Sequence, residues 1–165
     1  MTRAVNTALA GSGGVLQVVS TTKTDTFSSA STSFVDITGL SVSITPTSAT
    51  SRILVMYSLM ASPSSSSFPL IRLVRDSTAI AVGDAAGSRT QISSTAWASG
   101  ASGNIMDMQS MNFLDSPATT SATTYKLQIY SQNGTTQVIN RNLRDDNANY
   151  EPRGVSTITV MEIAG

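Results

Sequence analysis

The chain has 165 residues, with ten basic and ten acidic side chains, no histidine and no cysteine. Single cores commonly span about 100 to 200 residues, so one domain is expected. The missing residue types remove an imidazole base, a thiolate nucleophile, an ordinary zinc site and a disulfide framework. Balanced, scattered charge likewise removes the attraction on which non-specific nucleic-acid binding relies. No run reaches the roughly 18 to 20 apolar residues of a membrane-spanning helix, so no membrane insertion is expected.

Serine (27) and threonine (22) outnumber the charged residues, which turns the composition away from helical bundles and toward β structure. The 40% apolar content argues against disorder.

Residues 1–14 read as an arm. They carry small side chains and end in Ala10-Gly11-Ser12-Gly13-Gly14. Arg3, Val5 and Leu9 are the residues with which the arm would grip a partner. The apolar run at the start is short and broken by Asn6 and Thr7, against a cleaved secretory signal. The glycine cluster lacks the Lys-Ser/Thr and the helix of a phosphate-binding loop, and a flexible joint explains it better.

From Val15 to Gly165 the dominant signal is alternation with a period of two, broken by Ser, Thr, Gly, Pro and Asn. Leu40, Val42 and Ile44 alternate with Ser41, Ser43 and Thr45 before Pro46, the pattern of a strand with one wet and one dry face. Residues 52–59 are apolar on both parities, so that strand should be covered on both sides. Pro63 to Pro69, with its serine run, is a loop. Residues 70–82 form a hairpin around Asp76-Ser77, and residues 105–114 form a further strand.

A second hairpin is expected around Asn133-Gly134, the dipeptide suited to a type I′ turn. In that register Ile129 faces Val138 and Tyr130 faces Gln137. Asn133-Gly134-Thr135 also matches a glycosylation triplet, which the turn explains without a secretory context. The closing strand sets Ile158 and Val160 on one face and Met161 and Ile163 on the other, so it should be central or lie at a subunit contact.

Some eight to ten short strands with turn signals between them indicate an all-β fold, an antiparallel two-sheet sandwich or a jelly roll. Nothing supplies the crossover helices of a parallel α/β sheet. No internal repeat is visible.

Candidate sites are few. Residues 141–150 are the most polar stretch and hold the adjacent carboxylates Asp145 and Asp146. With Asn147 and Asn149 these could ligate calcium, but EF-hand spacing is absent, and a solvated loop with local ion pairs explains the residues better. No metal or cofactor is expected. If the protein binds a glycan, Asp145, Asp146, Asn149, Tyr150 and the Ser64-to-Ser67 loop are the contacts, because loops at one end of a sandwich carry recognition. Burial against the sandwich explains Trp97 better, and if exposed it could stack on a sugar or anchor a protein. Glycoside hydrolysis needs only carboxylates, but no aromatic-rich segment lines a groove, so no enzyme activity is expected. The seven methionines read as adaptable core filler.

The runs Gly14-Val15-Leu16-Gln17-Val18-Val19-Ser20, Phe34-Val35-Asp36-Ile37-Thr38-Gly39-Leu40, Leu114-Asp115-Ser116-Pro117 and Thr157-Ile158-Thr159-Val160-Met161-Glu162-Ile163 resemble a family of tailed-bacteriophage virion proteins, common in marine and cyanobacterial phages. The resemblance spans residues 14–165. Its members occur as stand-alone virion proteins and as terminal knobs of fibres. It implies a jelly-roll sandwich, of which TNF- and C1q-like knobs are one form, and a homotrimer on the external surface of a virion bound to other virion proteins. Because only about fourteen residues precede the domain, with no shaft, the sequence reads as capsid decoration more readily than as a fibre tip.

Overall fold

A computed structural model describes residues 14–63, 67–96 and 105–165. In chain order the strands are β1 (Val15–Lys23), β2 (Phe27–Ser29), β3 (Val35–Ile44), β4 (Arg52–Ser62), β5 (Pro69–Arg75) and β6 (Thr78–Ile80). They continue with β7 (Ser94–Thr95), β8 (Asp107–Asp115), β9 (Thr123–Ser131), β10 (Gln137–Ile139) and β11 (Ser156–Ile163). No helix occurs among the described residues.

The strands form two antiparallel sheets. The first runs β1–β11–β4–β8, with β2 and β10 prolonging the rows of β1 and β11. The second runs β3–β9–β5–β6, with β7 prolonging the row of β6 along β5. When each row is counted once, the first pairs with the last (β1 with β11), the second with the next to last (β3 with β9), then β4 with β8 and β5 with β6. A long hairpin rolled upon itself has this order, which makes the two-sheet sandwich a jelly roll.

Side chains of both sheets meet in one core. In β3, Leu40, Val42 and Ile44 are buried while Ser41 and Ser43 are exposed. In β4 the odd positions Ile53, Val55, Tyr57 and Leu59 are buried, and Leu54, Met56 and Met60 lie half-buried on the outer side. Across the gap stand Ile71, Leu73, Tyr125, Leu127 and Ile129. Each such side chain fully buried stabilises the fold by about 1.5–3 kcal/mol before entropy is counted. The Tyr57 hydroxyl and Ser94 Oγ, 2.8 Å apart, tie the sheets together at the flank. Both two-sided strands are central, β11 between β1 and β4, and β4 between β11 and β8.

One hairpin is as expected, with Leu73 opposite Ile80, Arg75 opposite Thr78, and Asp76 at φ 53° in the turn. The Asn133-Gly134 hairpin is not. Ile129 lies opposite Val35 and Ile71 in the second sheet, whereas Val138 lies opposite Ser62 and Ser28 in the first. The chain changes sheets here. A type I′ turn needs positive φ at both central residues, yet of the pair only Gly134 has it, at 76°. Asn133 Oδ1 instead accepts hydrogen bonds from the Thr135 amide and hydroxyl, at 3.3 and 2.7 Å. Burial of Gln137, Val138 and Ile139 in succession marks a strand that no longer has a wet face.

Candidate functional site

The register gives the sandwich two chemically different ends. Val15 lies opposite Ile163, and at this proximal end the Ala164 amide donates to the Gly14 carbonyl at 2.9 Å. Lys23 lies opposite Ser156 at the other, distal end, where residues 140–155 connect β10 to β11. Gly14 and the polar 140–155 segment are therefore separated by the length of β1.

The distal segment is organised by arginines. It leaves the sheet at Asn140, a buried residue at φ 62° whose Nδ2 donates to the Lys23 and Asp25 carbonyls, both at 2.9 Å, and whose Oδ1 accepts from Ser156 Oγ at 2.6 Å. Arg141 and Arg153 form a β-bridge that closes the segment into a loop. Between them Asp145 accepts from Arg153 and lies 3.5 Å from Arg141 Nη1. Asp146 pairs with Arg144, whose Nε is also 3.7 Å from the buried Glu151 carboxylate. The Arg144 guanidinium stands 5.9 Å from the ring of Tyr150, which is 59% exposed.

Asp145, Asp146, Asn149 and Tyr150 thus share one exposed loop, but its two aspartates answer to arginines rather than to a common cation. Among the described residues no three His, Cys, Asp or Glu side chains converge as metal ligands. Arg3, Val5, Leu9, Trp97 and Ser64 to Ser66 lie outside the described residues.

At the proximal end two carboxylates are inside. Glu162, on the inward parity of β11 and 0% exposed, accepts from Gln17 Nε2 at 2.6 Å and from the Thr47 amide and hydroxyl, both at 2.7 Å. Burial alone would raise its pKa, but these donors outweigh burial and hold it at about 2. Asp115 of β8 accepts two bonds from Arg75 Nη1, at 2.8 and 2.9 Å, and one from the Tyr125 hydroxyl at 2.7 Å, so it clamps one sheet to the other. Burial and the adjacent carboxylate push the Tyr125 hydroxyl up, so it stays a donor. Sequence reasoning missed these groups. Their signal was an acid on the inward parity, in Ile158-x-Val160-x-Glu162 and Met111-x-Phe113-x-Asp115.

The two outer faces also differ. On the first sheet Val18, Met161, Leu54 and Leu114 line up across β1, β11, β4 and β8 as one apolar rung. The next two rungs toward the distal end are Ser20, Thr159, Met56 and Asn112, then Thr22, Thr157, Ser58 and Ser110. Met60 and Met108 follow. Arg52, at the proximal margin, is the one charged residue at the outward positions of these strands. The second sheet instead carries a polar network. Asp36 accepts from Lys126 at 2.8 Å and Gln128 at 2.6 Å, while Arg72 donates to Gln128 at 2.7 Å and lies over the Phe34 ring at 3.9 Å.

No family model matches the chain, and no curated protein does either. Among solved structures it is distantly similar to one of infectious bursal disease virus, Gx strain, at a TM-score of 0.38 and 16% identity. It is also distantly similar to the infectious bursal disease virus VP2 subviral particle, at a TM-score of 0.33 and 15% identity. The aligned part covers 90% and 89% of this chain, and the chain spans about 40% and 39% of those chains.

Proposed function

We propose that this chain is a non-enzymatic structural protein of a bacteriophage virion, an external homotrimeric knob held to the particle by its N-terminal arm, with capsid decoration as its role. The observation that carries this reading is the opposition of the two ends: Gly14 stands at one end of the sandwich, and the polar loop 140–155 stands at the other. A knob attached through its arm would present that loop outward. The loop's self-paired arginines and carboxylates favour a stable outer cap over an open ligand site, and Asp145 and Asp146, each held by arginine, make a poor acid–base pair. The jelly roll and the resemblance of residues 14–165 to phage virion proteins agree with this. An arm laid against another virion protein would add backbone hydrogen bonds, and three copies would multiply weak attachments into avidity.

Deletion of residues 1–13 tests the reading. The truncated chain should still assemble with itself but no longer bind particles in a sedimentation assay, and retained binding would remove the arm's role. A second reading, a receptor-recognising fibre tip, is favoured by one observation, the exposed Tyr150 ring beside Arg144, an arrangement suited to stacking on a sugar. Saturable binding of a host-surface glycan, weakened by Tyr150→Ala, would move the assignment there.

A further inference from the structure

We infer that the outer face of the β1–β11–β4–β8 sheet is the surface through which copies of this chain meet, with the faces of the three protomers turned toward a common axis. The inference rests on the homotrimeric reading above and names the surface it uses. Of the large apolar side chains left exposed, Val18 (54%), Leu114 (37%) and Met108 (59%) stand on this one face. The remainder of its outward positions are chiefly serine, threonine and methionine, which pack and hydrogen-bond without bringing charge.

Charge decides between a second copy and a foreign partner. Rotational symmetry brings each residue near the axis close to its own copies, so an acid or a cation there is repelled by itself. A face turned toward such an axis is therefore expected to hold no charge near its centre, whereas a face recognising a charged partner can hold charge there. This one has a single cation, Arg52, at its margin. The opposite face, with Asp36, Lys126 and Arg72 in its centre, has the composition of a surface that stays wet.

Size agrees. Strands at about 4.8 Å spacing and about 3.3 Å per residue give a face of roughly 19 by 30 Å, on the order of 600 Å² in plan before side-chain relief is counted. A standard interface takes about 800 Å² from each partner.

The test is light scattering of the full chain at micromolar concentration. Wild type should be a trimer. Val18→Asp with Leu114→Asp should weaken assembly at least tenfold, while Ser43→Asp on the other sheet should leave it unchanged. A wild-type trimer that persists in the Val18→Asp, Leu114→Asp variant would overturn this surface and leave the virion reading intact. A monomeric wild type would overturn both the surface and the trimer. If the double variant does not fold, peroxide oxidation of the wild type asks the same question. Met108 should oxidise several-fold more slowly in the assembled protein than in the urea-unfolded chain. Oxidation at the same rate would overturn the inference, as would a monomer whose Met108 becomes protected only on the particle, since that places another virion protein on the face.

Discussion

The proximal end of the sandwich sets two buried carboxylates among donors from other elements; the distal end is built on a buried amide, with Asp145 and Asp146 exposed in its loop and Glu151 buried beneath them. At the proximal end Glu162 and Asp115 lie on either side of Ile53 in the sheet register, and each takes hydrogen bonds from other elements. At the distal end the hub is Asn140, which is neutral, and the charged groups pair among themselves in the loop. A buried anion without its donors is costly, whereas an exposed ion pair is worth little. The ends should therefore differ in what they contribute: the proximal end holds the sheets together, and the distal end shapes a surface that can change at small cost to the fold.

Asp115→Ala gives the largest expected effect. It leaves the Arg75 guanidinium partly buried and unpaired and the Tyr125 hydroxyl, in a fully buried residue, without its acceptor. The loss should be about 4 kcal/mol in urea denaturation, from the cost of orphaning one partner of a buried pair. A loss below 1 kcal/mol would show that the clamp between the sheets is ornamental, and the contrast between the ends would fall with it.

Glu162 sharpens the contrast through pH. Its folded pKa of about 2 lies below the ordinary 4.5, so the stability it brings is fully present above pH 4.5 and is lost as pH falls through 4.5 toward 2. The difference corresponds to about 3 kcal/mol. Glu162→Gln should flatten the dependence of stability on pH between 4.5 and 2 by an amount of that order, measured as urea midpoints across the window. An unchanged slope would mean that the donors from Gln17 and Thr47 do not act on its charge. Asn140 has no proton to lose in this range, so its hub should remain intact there.

Much of the fold was legible because a strand with one wet face writes itself in every second residue. Leu40, Val42 and Ile44 announce their burial, and Asp76-Ser77 marks a hairpin that exists. The pattern failed where a strand is dry on both sides or where a polar residue points inward. Gln137-Val138-Ile139 has no alternation to read, so the sequence alone pairs this strand with its neighbour in the chain although it crosses to the other sheet. Glu162 and Asp115 were passed over because acids are ordinarily outside, and only the parity of Val160 and Phe113 points them inward. The distal loop was legible as polar and exposed. The pairing of its charges was not, because it depends on Arg141 and Arg153 meeting across the loop.

The distal ion pairs give the smallest expected effect, and for that reason they test the contrast from the other side. Asp146 is half exposed and pairs with Arg144, itself 45% exposed, so solvent screens the attraction. Asp146→Asn removes the charge and keeps the shape, and the cost should stay below about 1 kcal/mol. Arg144 retains Glu151 as a neighbour at 3.7 Å, which limits the loss further. Urea midpoints for wild type and variant should therefore nearly coincide, and the small remaining difference should shrink in high salt. A cost rivalling that of Asp115→Ala would mean that the loop is a structural element of the core. The distal end could then not vary independently of the sandwich, and its assignment as a freely shaped outer surface would fail.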